Sequence, residues 1–324
     1  MKAENRIPDV PTPLSTEDIN TIIETQLEAW PLARENFFRL AECSRKPLEL
    51  GALKGAAQYN PARIRSTGAA VDRKSIENRP CFLCRKNRPK EQIAIPWMKG
   101  WELLVNPYPI LPVHFTVAST RHTPQKQIPF ETVQMVSAAP DLALFFNGAK
   151  AGASAPDHLH LQGVLKSELP LLRLAESLLP ADRKSMLFSD ETGLDLPFHF
   201  VAATISPGME GSLMLLKLLC TPGLDAETGK LDTDLRNAFF WIGDDGLLRG
   251  LVVPRRAHRP ACYDLPEGER MVISPGAIDM AGLMIVPRKE DFDRLDADTA
   301  ARIYAEVAFA DRIPEKIKEH VNAL

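Results

Sequence analysis

The apolar positions of the chain change period several times, and each change predicts an element. From Ser15 onward, Ile19, Ile22, Ile23, Leu27 and Trp30 recur at helical spacing. Ser15 sits where an N-cap belongs, Glu17 and Asp18 place acids in the first turn, and Pro31 kinks or divides the helical stretch 15–43. Residues 48–68 show small residues, the basic pair Arg63 and Arg65 and no clear period, and they read as an extended arm. Three apolar runs follow, Gln92 to Pro96, Trp101 to Val105 and His114 to Ser119, separated by Lys99-Gly100 and Asn106-Pro107-Tyr108-Pro109 as strands of a meander. Pro129 to Ser137 reads as a helix and Leu142 to Phe146 as a buried strand. In His158 to Gln162 polar residues alternate with Leu159 and Leu161, which predicts a strand with His158, His160 and Gln162 on one face.

Beyond this point a leucine stripe predicts a helix over Glu168 to Leu179, Phe198 to Thr204 a strand, and Gly211 to Leu219 a helix. Further strands are expected at Ala238 to Ile242, Leu247 to Val253, Met271 to Ser274 and Ala281 to Val286, and helical pattern from Ala297 to Val321. Strand, proline turn and strand occur in both halves, and Arg121-His122-Thr123-Pro124 is echoed by Ala257-His258-Arg259-Pro260. The expected organisation is therefore an N-terminal helix and arm (1–72), a catalytic half (73–190) and a related, non-catalytic half (191–324).

Composition narrows the chemistry. A formal net charge of −3 without a basic tract argues against nonspecific nucleic-acid binding. No apolar run reaches the roughly 18 residues of a membrane span, and the N-terminus has no signal-like apolar core, so a cytoplasmic location is expected. Five scattered cysteines, of which only Cys81 and Cys84 are close, suit free thiols or a metal site better than a disulfide framework.

The densest chemical cluster is Asn147-Gly148-Ala149-Lys150-Ala151-Gly152-Ala153-Ser154-Ala155-Pro156-Asp157-His158-Leu159-His160-Leu161-Gln162. Small residues let backbone approach a ligand, Ser154 adds a hydroxyl, and a neutral imidazole is a competent nucleophile toward phosphorus near pH 7. Gln162 can donate an amide hydrogen bond to a phosphoryl oxygen without changing charge. Lys150, Lys166, Arg121 and Arg63 are candidates to neutralise a departing phosphate, and the turn-rich Ile273 to Gly282 a candidate second wall.

This stretch resembles the active-site strand of the histidine-triad superfamily, in the branch containing galactose-1-phosphate uridylyltransferase, diadenosine tetraphosphate phosphorylase and the GDP-hexose phosphorylases. That branch has a Gly-rich loop, Ser-x-Pro and then His-x-His-x-Gln. Val105-Asn106-Pro107-Tyr108-Pro109-Ile110 with His114-Phe115 resembles a second segment of the phosphorylases, so the similarity spans roughly residues 80 to 165. The resemblance implies an α+β fold of antiparallel sheets flanked by helices. It implies His160 as the nucleophile, Gln162 and Ser154 on phosphate oxygens, and Asn147 orienting the pocket. Here Ser154-Ala155-Pro156-Asp157-His158 is one residue longer than the usual Ser-x-Pro-His, and the extra Asp157 bears on whether Ser154 reaches phosphate.

In the uridylyltransferase a zinc ion is held by a Cys-x-x-Cys pair, a histidine after a central strand, and the first histidine of the motif. Cys81, Cys84, His122 and His158 repeat that order, with His114 as the competing third ligand. A structural zinc there would make His158 a buttress for His160.

The expected activity is a nucleotidyltransferase or phosphorylase acting on a nucleoside diphosphate sugar or dinucleoside polyphosphate, with phosphate or a sugar phosphate as acceptor and no organic cofactor. The relatives often dimerise, which makes a homodimer compatible with the resemblance. Two other readings are a nucleotide hydrolase of the same fold, against which Gln162 counts, and a catalytically silent nucleotide-binding or zinc-stabilised interaction protein.

Overall fold

The computed structural model describes residues 8–64, 68, 73–180 and 185–324. Arg65 of the expected basic pair lies outside them. Among the described residues there are fourteen strands: β1 Arg45–Leu50, β2 Leu53–Tyr59, β3 Ala94–Met98, β4 Trp101–Val105, β5 Phe115–Ser119, β6 Leu142–Asn147, β7 His160–Leu165, β8 Leu187–Phe188, β9 Val201–Ile205, β10 Gly223–Leu224, β11 Leu231–Asp232, β12 Arg236–Ile242, β13 Leu248–Pro254 and β14 Leu283–Val286. Nine of them form one antiparallel sheet in the order β3-β4-β5-β7-β6-β12-β13-β9-β8. The α+β architecture is the one expected.

The sheet is buried on both faces, which explains why its central strands read as unbroken apolar runs. In β6, Ala143 and Phe145 enter one core while Leu142, Leu144 and Phe146 enter the other; in β12, Phe239 and Trp241 oppose Ala238 and Phe240 in the same way. One core is covered by β1, β2, β14 and the helices Pro170–Leu178 and Ala297–Val307. The other is covered by the helices Thr16–Ala29, Thr132–Ala138, Met209–Cys220 and Glu315–Asn322.

The first helix begins where the sequence places it. Ser15 Oγ accepts from the Asp18 backbone N–H at 3.1 Å, and the Asp18 carboxylate accepts from the Ser15 N–H at 2.8 Å, a reciprocal cap. Pro31 divides the stretch, opening a second helix, Pro31–Leu40.

Four expectations are corrected. Of the expected arm over 48–68, residues 48–59 are paired instead: β1 and β2 make a hairpin about Gly51, whose φ of +64° only glycine adopts freely, and β2 pairs in parallel with β14. Hence Ala281–Val286 delivers its strand to this three-stranded sheet. Met271 to Ser274 forms no strand, with the Ile273 N–H donating back to the Met271 carbonyl at 2.9 Å, and Ala297 to Val321 is two helices separated at Ala308–Pro314. Finally, His158 lies in the bend before β7, so the strand face carries His160 and Gln162 but not His158. Its imidazole is turned into a separate cluster by the contacts given below.

Candidate active site

The site sits where β5, β6 and β7 end beside the loop 148–157. β5 and β7 place Ala118 opposite His160 and Thr116 opposite Gln162. His160 is buried, at 3% exposure, and the walls of its environment fix its tautomer. Its Nδ1 lies 2.8 Å from the His158 carbonyl oxygen, which can only accept, so Nδ1 carries the proton and Nε2 keeps its lone pair. Burial pushes the His160 pKa down to about 4, so the ring is neutral near pH 7.

The backbone of His160 is clamped by Gln125, a fully buried residue the sequence reading missed. Gln125 Oε1 accepts from the His160 N–H at 2.8 Å, and Gln125 Nε2 donates to the carbonyls of His160 at 2.9 Å and Asn147 at 3.0 Å. Both ends of the 147–160 loop are thereby tied to one amide. A glutamine in an irregular, polar stretch gives no sequence signal of this kind.

A cavity of about 600 Å³ opens in front of His160. Of the expected ligand-binding residues, Asn147, Gly152, Ser154, His160 and Gln162 all line it. Asn147 Oδ1 accepts from Asn237 Nδ2 at 2.9 Å and from the Ala277 N–H at 2.7 Å, which leaves its amide donor for a ligand. The glycines also have a packing role within the chain. A Cβ at Gly152, whose φ is +90°, would lie 2.5 Å from Gly276 Cα, and one at Gly148 would lie 2.3 Å from the Asp234 carbonyl. They allow this chain's own backbone segments to meet, and so bring the second wall to the loop.

That second wall is the expected one: Ser274, Gly276, Ala277, Ile278 and Asp279 line the cavity. Burial raises the Asp279 pKa to about 6, against the hydrogen bonds its oxygens accept from the Ile285 and Gly276 N–H groups. Trp30, Leu32, Phe82 and Pro107 also line the cavity and add apolar and aromatic surface suited to a flat ring.

Among the candidate cations, only Arg63 lines the cavity, with Nη1 donating to the Tyr108 carbonyl at 2.9 Å. Lys150 Nζ pairs with Asp232 at 2.8 Å, Lys166 Nζ donates to the Ile242 carbonyl at 2.7 Å, and Arg121 lies exposed outside the lining. His258 and Arg259 line the cavity from the later half, though the sequence offered no partner for His258.

Arg79 was also missed, and it accounts for the extra Asp157. Arg79 Nη2 donates to the Asp157 carboxylate at 2.9 Å and to the Ser154 carbonyl at 3.2 Å, and its guanidinium lies 5.0 Å from the Phe82 ring centroid. Ser154 keeps its place in the lining, while the inserted carboxylate anchors a guanidinium beside it. Arg79 Nη1 is buried and has no hydrogen-bond partner among the described residues.

Cys81, Cys84, His122 and His158 converge in a separate cluster, with their ligand atoms all within 4.8 Å of one another. Cys81 Sγ is 3.3 Å and Cys84 Sγ 3.7 Å from His158 Nδ1, Cys84 Sγ is 3.3 Å from His122 Nδ1, and the two Nδ1 atoms are 3.4 Å apart. His158 Nε2 donates to the Ser119 carbonyl at 2.8 Å, which turns the Nδ1 lone pair toward the thiols. The Cys81–Cys84 knuckle is held by Asn87 Nδ2 on the Cys81 carbonyl at 2.8 Å and by Arg88, which bonds Leu83 and the buried Glu102. This set can hold a four-coordinate metal ion. The competing ligand His114 points elsewhere, its Nε2 lying 2.8 Å from Gln162.

A nine-stranded antiparallel sheet with helices on both faces makes the α+β fold, with His160 and Gln162 on β7 and His158 in the bend before it. The fold is similar to that of yeast Ap4A phosphorylase Apa2, with a TM-score of 0.52 and 14% identity over 87% of this chain and 97% of that one. The same enzyme in complex with Ap4A superposes at a TM-score of 0.57, again at 14% identity, covering 90% and 98%. Residues 22–165 match a family model described as a domain of unknown function, DUF4922. No match is found among curated protein sequences. Among the described residues, no helix is long and apolar enough to cross a membrane.

Proposed function

We propose that the protein is a nucleotidyltransferase of the phosphorylase type, acting on a nucleoside diphosphate sugar or a dinucleoside polyphosphate through a nucleotidyl-histidine intermediate. One observation carries the reading: a buried neutral imidazole, its Nδ1 proton held by the His158 carbonyl, keeps its Nε2 lone pair, and His160 lines a cavity together with Gln162. The similarity to an Ap4A phosphorylase supports the same class.

In the first step the Nε2 lone pair attacks the α-phosphorus. The N–P bond forms as the P–O bond to the leaving nucleotide or sugar phosphate breaks, and that oxygen takes the electron pair. In the second step an oxygen of inorganic phosphate, or of a sugar phosphate, attacks the same phosphorus. The P–N bond breaks and its pair returns to Nε2. Gln162 and Ser154 donate to the phosphoryl oxygens as negative charge moves onto them, and Asn147 orients the pocket.

Arg79 carries charge toward the same phosphates. A hydrogen bond to a charged group is worth about 1.5–3 kcal/mol, so Arg79→Gln is expected to raise KM about 10- to 100-fold, read by initial rates against substrate concentration. An unchanged KM would remove Arg79 from the phosphate contacts.

The metal set suits zinc. Around an ion about 2.3 Å from sulfur and about 2.0 Å from nitrogen, tetrahedral corners lie roughly 3.3–3.8 Å apart; four of the six distances among the ligand atoms run from 3.3 to 3.7 Å, and all six are within 4.8 Å. With four protein ligands the ion would be structural. Bound zinc would hold the His158 ring, and the backbone carbonyl of that same residue holds the His160 proton.

The deciding experiment incubates the protein with UDP-hexoses, GDP-hexoses and diadenosine polyphosphates, with and without phosphate. Phosphate-dependent consumption that releases a nucleoside diphosphate is expected. Equal consumption without an added acceptor would make the protein a hydrolase, and binding without consumption a silent nucleotide-binding protein.

A further inference from the structure

The geometry points to His114 as the residue that sets which end of the Gln162 side-chain amide faces the substrate. This inference rests on the proposed phosphoryl-transfer site. It concerns a residue that stands outside the cavity lining and belongs to neither the nucleophile nor the metal set.

A side-chain amide has two nearly isosteric ends, one accepting and one donating, and rotation about the last torsion exchanges them. Only the NH2 end stabilises a phosphoryl oxygen; the carbonyl end repels it. The site needs something that tells the two apart.

His114 does so through a chain that begins at a group of fixed polarity. The Ile110 backbone N–H, which can only donate, points at His114 Nδ1 at 3.1 Å. Nδ1 therefore accepts, and the single proton of the neutral ring resides on Nε2. His114 Nε2 lies 2.8 Å from Gln162 Oε1, so Nε2–H donates and Oε1 accepts. The reversed amide would set an NH2 against an N–H. Gln162 consequently turns its two amide protons away from His114, and its residue lines the cavity with His160.

The Asn106 Nδ2 atom, 3.4 Å from His114 Nε2, does not compete. Donation from it would need an unprotonated Nε2, hence a proton on Nδ1, and that proton would collide with the Ile110 N–H. The ring is fully buried, with Phe145 at a centroid distance of 6.5 Å. Burial first, and then the nearby Arg63 charge, push its pKa down to about 3, which keeps it from becoming a double donor near pH 7. Strand register makes the contact: Gln162 lies opposite Thr116, and His114, two residues before Thr116, is its diagonal neighbour.

Two measurements test the assignment. In a double-mutant cycle, His114→Phe is expected to lower kcat about 10²-fold, the size of a lost oxyanion-type donor, with KM within about threefold. In a Gln162→Ala background, His114→Phe should then cost nothing further, because the amide through which it acts is gone. Additive losses would show that His114 matters for another reason, such as packing, and would overturn the inference. Histidine ¹⁵N NMR of the unsubstituted protein supplies the second test and needs neither turnover nor a variant that folds. The Nε2–H tautomer is expected for His114, and the Nδ1–H tautomer would overturn the inference. A protein that turns over none of the substrates above counts against the phosphorylase reading alone, and the NMR result still decides this one.

Discussion

His160→Ala is expected to abolish turnover, with kcat falling about 10⁴-fold or more, and to prevent the labelled nucleotidyl group from remaining on the denatured protein. In the proposed mechanism this substitution does not merely weaken a contact, because it removes the atom that forms the covalent intermediate. The substitution should leave substrate binding measurable. His160 is one of many residues lining the cavity, and the other contacts, from Asn147, Ser154, Trp30 and Phe82, persist without it. Retention of both activity and adduct in His160→Ala would eliminate the mechanism. Loss of adduct with retained turnover would leave a direct attack by the acceptor.

Metal removal should have the second large effect, and it should appear in stability before it appears in chemistry. Structural zinc sites in small peptides bind with apparent free energies of about 10–16 kcal/mol, all of it coupled to folding. In a chain this long the local unit 81–84, 122 and 158 can lose its ion without global unfolding, so the expected loss is smaller. A loss of about 4 kcal/mol corresponds to a fall in Tm of about 6 °C in a chain of this length. Protein purified without chelator is expected to hold one zinc per chain by elemental analysis, and Cys81→Ser to lower both zinc content and Tm. kcat should fall with them, because the His158 carbonyl that orders the His160 tautomer belongs to the residue the metal would hold. A metal-free protein with an unchanged Tm in Cys81→Ser would sink the zinc assignment.

Much of this was legible locally. Capping at Ser15 and Asp18, the division at Pro31 and the buried runs of β4, β6, β12 and β13 follow from caps, proline geometry and apolar content, all of which act within a few residues. The one-residue insertion at Asp157 was also visible, as was the turn-rich segment 273–282. Their partners were not. Asp157 meets Arg79 from 78 positions earlier, and the Ala277 N–H meets Asn147 from 130 positions later. The hairpin 45–59 was misread because its strands are short and rich in small residues. Their pairing with β14 is a contact with residues more than two hundred positions away.

The sequence by itself determined which chemistry is present: a His-x-His-x-Gln strand after a loop of small residues, and two cysteines and two histidines in an order suited to a metal. Only the tertiary structure decided which atom of each group is used. Nε2 of His160 is free because Nδ1 meets a carbonyl, Nδ1 of His158 faces the thiols because Nε2 meets another, and the Gln162 amide is turned by His114. Residue types fix the inventory of donors and acceptors. Tautomer and amide orientation depend on what lies within about 3 Å, and neighbours at that distance come from strands and loops that are remote in sequence.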